Sequence, residues 1–170
     1  MSALEEAREL LSEKTPLKTD CGRVCGGLCC RSMEGEETGM LLFPGEEVYY
    51  DKMAGWRMVP AGQETLLICP GECDREARPL SCRIFPMIPV IREDGTVAVR
   101  TDERARTVCP LTRQGKQGMD PAFILAVRQA GEKLASEPAQ RDFLLKRARE
   151  QEELRTLRKA FMGEGQDALP

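Results

Sequence analysis

Eight cysteines and no histidine define the chemistry open to this chain of 170 residues. Cys21, Cys25, Cys29 and Cys30 lie within ten residues, Cys69, Cys73 and Cys82 within fourteen, and Cys109 stands alone. The absence of histidine excludes Ser–His–Asp and Cys–His triads, two-His metal motifs and imidazole acid/base chemistry. What remains is sulfur, as a nucleophile, a redox group or a ligand for a soft metal. Any metal must be held by thiolates, with at most a carboxylate beside them.

The first group reads DCGRVCGGLCCR from Asp20 to Arg31. A thiolate cluster requires a backbone that bends around the ion, and glycines 22, 26 and 27 permit the positive φ angles this needs. They also leave amide N–H groups free to approach sulfur. A continuous helix would set positions 21, 25 and 29 on one face. Three glycines at roughly 1 kcal/mol each oppose that helix, so the expectation is a wrapping loop. Consecutive side chains diverge in most backbone conformations. Cys29 and Cys30 are therefore expected to serve different sites, or different metals of one polynuclear cluster.

The second group reads CPGECDREARPLSCRIFP over residues 69–86. Cys69 to Cys73 forms a tight turn able to offer two sulfurs to one metal, and Cys82 follows nine residues later. Eight thiols suffice for two four-sulfur sites, or for one such site with four bystanders. Four thiolates around a divalent ion leave a net charge of about −2, which nearby cations must offset. Arg23, Arg31, Arg75, Arg78 and Arg83 are placed in sequence to do so, with Arg78 and Arg83 the favoured pair. Asp20, Glu72 and Asp74 sit beside cysteines; turn capping is the expected role, a metal oxygen ligand the rarer one. Trp56, Tyr49 and Tyr50 are expected to pack in the core or at its rim. The chain has no Cys-x2-Cys knuckle, the usual zinc signature, which leaves iron–sulfur ligation open beside zinc.

The first cluster, the Cys-x3-Cys turn and the segment Arg78-Pro79-Leu80-Ser81-Cys82-Arg83-Ile84-Phe85-Pro86 together resemble the CxxCxxCC cysteine-cluster family of YkgJ-like proteins. That family is described as a zinc- or iron-chelating domain, and the resemblance covers about residues 21–110. It departs at the first intervals, which are x2 or x3 then x2 in the family and x3 twice here. The resemblance implies a cofactor class, Zn2+ or an Fe–S cluster, more than a reaction. Flagellin lysine N-methylases carry a similar cluster, so a zinc- or Fe–S-dependent enzyme, of methylase or electron-transfer type, is the alternative. A metal-free thiol or disulfide protein is a third class.

The elements that must position these sulfurs are short. Ser2 is expected to cap an amphipathic helix over 2–13, with Leu4, Ala7, Leu10 and Leu11 facing inward. Residues 39–43 read as a strand, Pro44 opens a helix to about Met53, and 64–69 form a strand entering the second cysteine group. Residues 84–92 and 96–100 flank Glu93-Asp94-Gly95 as a hairpin, with Pro86 and Pro89 confining the first strand to an edge. Gly115 and Gly118 mark a linker. Asp120-Pro121 then starts a helix carrying Phe123, Val127, Ala130 and Leu134 on one face, and a second runs from near Ser136 or Pro138 to about Met162. Its inward stripe is expected to be Leu144, Ala148, Leu154, Leu157 and Phe161, opposite a solvated face of Lys146, Arg149, Glu153 and Arg158. The fold class is α+β: a small irregular sheet, cysteine-rich metal-binding loops and a C-terminal helical pair. Residues 1–114 would form the cysteine-cluster domain and 115–170 a helical segment packing on it.

Charge and composition narrow the partners. With 25 basic and 28 acidic residues the net charge is −3, and the pI is about 5.3, so no basic field exists for nucleic acid. No apolar run reaches the roughly 20 residues needed to cross a bilayer. The N-terminus lacks the apolar core of a secretory signal. A cytoplasmic protein with a metal ion as partner is expected. Only 5% of residues are aromatic, a modest core that a bound metal would reinforce.

Overall fold

A computed structural model describes residues 1–31, 37, 39–71 and 73–162. Glu72 lies outside the described residues. The fold is α+β, built from helices and two small antiparallel sheets.

Helix α1 (Ala3–Leu10) starts where the sequence says it must. The Ser2 hydroxyl accepts from Glu5 N–H and the Glu5 carboxylate accepts from Ser2 N–H, a reciprocal capping box. Strands β1 (Gly39–Leu41), β2 (Arg57–Ala61) and β3 (Glu64–Ile68) form one sheet in the order β1-β3-β2. Ala61 pairs with Glu64, so β2 and β3 join through the two-residue turn Gly62-Gln63. Strand β2 escaped the sequence analysis: it contains Pro60 and only half-buried or exposed side chains. An edge position tolerates both features, because an edge strand leaves one row of N–H groups unpaired.

The expected helix over 44–53 is only a short 3-10 turn, Glu46–Tyr49. Its nucleus is the Glu46 carboxylate, which is fully buried. That carboxylate accepts from Phe43 N–H (3.2 Å) and Leu80 N–H (2.6 Å) and pairs with the Arg8 guanidinium of α1. Burial raises the Glu46 pKa, while the Leu80 N–H and Arg8 pull it back. One side chain thus ties α1, the end of the first sheet's lead strand and helix α3 (Leu80–Ile84) together.

Strands β4 (Met87–Ile91) and β5 (Val97–Thr101) form the expected hairpin. At its turn the Asp94 carboxylate accepts from Thr96 N–H (2.9 Å), and Gly95 takes φ 82°. β4 begins later than the sequence suggested because 80–84 is helical. Pro89 is harmless in a two-stranded sheet, where each strand has a free edge. Helices α4 (Pro121–Ala135) and α5 (Pro138–Met162) follow the expected bounds. Asp120 caps α4 by accepting from Ala122 N–H. Phe123, Val127, Ala130 and Leu134 are buried as anticipated, in one core with Leu4, Ala7 and Leu11 of α1 and Met87, Ile91, Val97 and Val99 of the hairpin.

The inward face of α5 differs from expectation. Leu154, Leu157 and Phe161 are exposed, Phe161 at 86%, and the buried residues are Gln140, Phe143, Leu144, Arg147 and Gln151. Only its first half packs apolar groups, with the Phe143 ring 4.6 Å from that of Phe43. The rest docks by hydrogen bonds. Gln140 donates to Pro44 O (2.7 Å), Arg147 pairs with Glu64 (2.8 Å), and Gln151 donates to Asp102 (2.9 Å) while accepting from Glu103 N–H (2.7 Å). A periodicity of leucines says nothing about such polar docking. Lys146 and Arg158 of the presumed solvated face are likewise tied to Glu64 and Glu103, both at 2.9 Å. Arg149 and Glu153 are exposed.

Gly131 sits where α4 crosses the hairpin. A Cβ there would lie 2.5 Å from Pro89 Cβ and 2.9 Å from Val97 Cγ1. Alanine ordinarily favours a helix over glycine by about 1 kcal/mol, but overpacking against a proline ring costs about 1–3 kcal/mol. Gly131→Ala is therefore expected to lower stability by up to about 2 kcal/mol net, read as a reduced urea midpoint. A raised midpoint would show that the helix–hairpin contact yields freely.

Candidate functional site

All eight cysteines line one cavity of about 340 Å³. They reach it from four separate parts of the chain. No disulfide joins any of them.

The first group is not the wrapping loop expected. Asp20 accepts from Gly22 N–H (3.1 Å) and starts a single helical turn, α2 (Gly22–Cys25), so Cys21 and Cys25 stand one turn apart. Gly22 is helical; the left-handed positions are Gly26 (φ 64°) and Gly27 (φ 68°). These two reverse the chain after a turn too short to accumulate the glycine cost of a long helix. The 3-10 turn Leu28–Cys30 then returns Cys29 and Cys30 toward the same space. Their sulfurs lie 3.9 Å apart.

Strand β3 delivers Cys69 from the other side. Gly71 (φ 93°) turns the chain, and a Cβ built there would stand 4.0 Å from Cys30 O. Cys73 precedes a 3-10 turn, Arg75–Ala77, and Cys82 projects from α3, whose position Glu46 fixes through Leu80. Cys109 follows the 3-10 turn Glu103–Thr107, its N–H donating to Ala105 O (2.7 Å). Sequence separation had hidden Cys109's membership in either group; the Asp102 carboxylate, which caps that turn through Arg104 N–H (2.9 Å), sets its place.

Burial pushes Cys21 up to about 11, reinforced by the negative charge of Asp20 and by Cys25 and Cys109. Cys82 is driven well above the ordinary thiol range by burial and by Cys30, Cys73 and Cys69. The hydrogen bond to Cys30, then burial, raises Cys29, although the residue as a whole is exposed. Burial raises Cys73 and Cys109 too, opposed by Arg78 at the former and by the N–H of Leu111 at the latter. The cause is common to all: a partly buried thiol resists ionising beside other thiols.

The cations are nearby. Arg78 pairs with Asp20 (3.8 Å) and lies within electrostatic reach of Cys21, Cys30 and Cys73. Arg75 also lines the cavity; its Nε donates to Ser12 O (2.7 Å), while its buried Nη2 has no partner among the described residues. Arg83 borders the cavity but is largely spent on the backbone, donating to Arg78 O, Arg8 O and Glu76 O at 3.0, 3.1 and 2.7 Å. Arg23 and Arg31 do not line it. The sequence analysis missed Arg104, which does, and which grips Asp102 at 2.8 Å. Asp20 caps a turn as expected; Asp74 makes no capping bond with its side chain. Tyr50 is core and donates to Ala77 O (2.9 Å), the Trp56 ring packs against it at 5.2 Å with a 40° tilt and borders the cavity, and Tyr49 lies under Arg8.

Among the described residues no three Cys, Asp or Glu side chains are drawn together tightly enough to cage a metal as they stand. The sulfurs ring a space. Their chemistry still fits a soft or borderline cation: thiols only, an unpartnered guanidinium N–H and a surplus of arginine. Compared with known protein families, characterised proteins and solved structures, the chain matches none. No helix among the described residues is long and apolar enough to cross a membrane.

Arg83 and Arg78 should separate on substitution. Arg83→Ala removes three charge-assisted bonds to carbonyls and is expected to cost about 2 kcal/mol of stability, with Arg83→Lys restoring little because an ammonium cannot span three acceptors. Arg78→Ala should cost less than about 1 kcal/mol. Urea unfolding of the three variants decides this; equal losses at 78 and 83 would refute the assignment.

Proposed function

We propose that this chain is a metal-binding cysteine-cluster protein whose thiolates hold Zn2+ or an Fe–S centre that organises the fold. The observation carrying the proposal is that eight cysteines from four parts of the chain line a single cavity. The resemblance to the CxxCxxCC family supports the same reading, since Arg78, Cys82 and Arg83 of its RPxxCRxFP segment border that cavity. Cys21, Cys25, Cys29, Cys30, Cys69, Cys73, Cys82 and Cys109 would be the ligands, with Arg78 and Arg75 offsetting their charge. Zinc there would supply cross-linking between chain segments; iron–sulfur would add one-electron transfer. Free thiols in this number suit a reducing compartment such as the cytoplasm.

Protein purified without oxygen is expected to contain zinc or iron, and chelation should reduce helical and tertiary signals. Because the thiols are raised, metal uptake must displace protons. Apparent affinity should therefore fall as pH is lowered, with proton release measurable in weakly buffered solution. A stably folded, metal-free protein that takes up no ion on titration would defeat the proposal.

One observation favours a second reading. Leu11, Val24, Trp56, Leu67, Phe85 and Leu111 give the cavity an apolar wall, the kind of surface an organic substrate uses. An enzyme of methyl-transfer type would bind S-adenosylmethionine, measurable by calorimetry on the metal-loaded chain. No heat of binding would end that alternative.

A further inference from the structure

Consecutive side chains diverge in most backbone conformations, yet the 3-10 turn Leu28–Cys30 sets the Cys29 and Cys30 sulfurs 3.9 Å apart. Cys29 is exposed, Cys30 is half-buried, and no disulfide joins them. Among the described residues no third Cys, Asp or Glu closes on the pair as a metal cage requires. As it stands this is a two-sulfur site, and it fits a ligand that needs two sulfurs only.

The geometry favours a one-atom bridge over a direct bond. For a disulfide the sulfurs would have to close from 3.9 Å to about 2.05 Å. Consecutive Cα atoms lie about 3.8 Å apart, short of the roughly 4.4–6.8 Å that ordinary disulfides span. Two bonds to sulfur of about 2.3 Å, opening at about 110–120°, already span about 3.8–4.0 Å. A zinc ion bridging the pair would still lack its other ligands. A trivalent arsenic atom carrying an organic group brings its third bond with it, and it is soft, as thiols prefer. The surroundings fit the organic group too. A Cβ at Gly27, just before the turn, would meet nothing within 4 Å, so the chain is open there. Val24, 66% exposed, borders the same cavity as Cys29, and Leu28, 42% exposed, precedes Cys29 in the turn. Both offer apolar surface to an aryl or alkyl substituent.

We propose that Cys29 and Cys30 form a capture site for trivalent organoarsenicals, each sulfur taking one bond to arsenic. The step balances without an oxidant. Phenylarsine oxide is present in water as its dihydroxide; each sulfur replaces one hydroxide, and the thiol proton leaves with that hydroxide as water. Two As–S bonds form, two As–O and two S–H bonds break, and arsenic stays trivalent. The site goes beyond the metal-binding reading and does not rest on it, since it uses this pair alone.

Full-length reduced protein, as purified and after treatment with a chelator, is mixed with phenylarsine oxide and measured by intact mass spectrometry, with tryptic digestion to locate the adduct. One phenylarsenic group per chain is expected, on the peptide spanning residues 24–31, with the loss of two titratable thiols. It should survive excess monothiol and be stripped by ethanedithiol. Cys29→Ser or Cys30→Ser leaves one bond in place of two and should weaken capture by about 10²–10⁴-fold. Cys25→Ser and Cys69→Ser should retain it. An adduct seen only after chelation supports the site and shows a resident ion holding the pair. No adduct in either sample, an adduct on other cysteines, or full retention in the Cys29 and Cys30 variants overturns the proposal. Absence of metal from the purified protein bears on the metal-binding reading alone.

Discussion

A single buried carboxylate holds the architecture on which the sulfur cavity depends. Glu46 has no exposure to water, so its oxygens must be satisfied inside the protein, and they are: by Arg8 of α1, by Phe43 N–H and by Leu80 N–H. Leaving a buried charge with one partner removed costs about 3–5 kcal/mol. The interaction thus fixes the start of α3 relative to both α1 and the first sheet, and with it the position from which Cys82 projects. Arg83, one residue further along, ties the same helix back to Arg8 O and to the turn that follows Cys73.

Around that wall the protein accumulates thiols that disfavour ionisation. Burial and mutual proximity raise Cys21, Cys73, Cys82 and Cys109, and an arginine set with one unsatisfied N–H waits beside them. Such an arrangement gains little for a metal-free fold. Unpaired thiols contribute weak hydrogen bonds, and buried guanidinium N–H groups without acceptors cost stability. On the proposed reading, a cation that released the protons and drew the sulfurs together would turn both liabilities into attraction. The modest aromatic content and the polar docking of α5 fit a chain whose apolar core was never the whole source of its stability.

Some of this was written in the linear chain. The capping box at Ser2 and Glu5, the Asp120-Pro121 start of α4, the Asp94-Gly95 turn and the Phe123–Leu134 stripe all depend on residues a few positions apart, so their signals are local. The eight cysteines and the missing histidine likewise limit the side-chain chemistry available without reference to any fold. Residue identity alone excludes imidazole.

The rest needed the third dimension. Which leucines of α5 are buried was decided by where Asp102, Glu103 and Glu64 offer partners, not by helical period, so Gln151 went inside and Phe161 stayed out. Strand β2 exists because β3 presented an edge to a segment with no alternation of its own. That Cys109 borders the same cavity as Cys21, and Cys82 the same cavity as Cys30, joins residues more than fifty positions apart. Nothing in their neighbours encodes it; long-range contacts are set by the packing of whole elements. Sequence determined that the reactive atoms available to this chain are sulfurs, and only tertiary structure decided that all eight cysteines border one cavity.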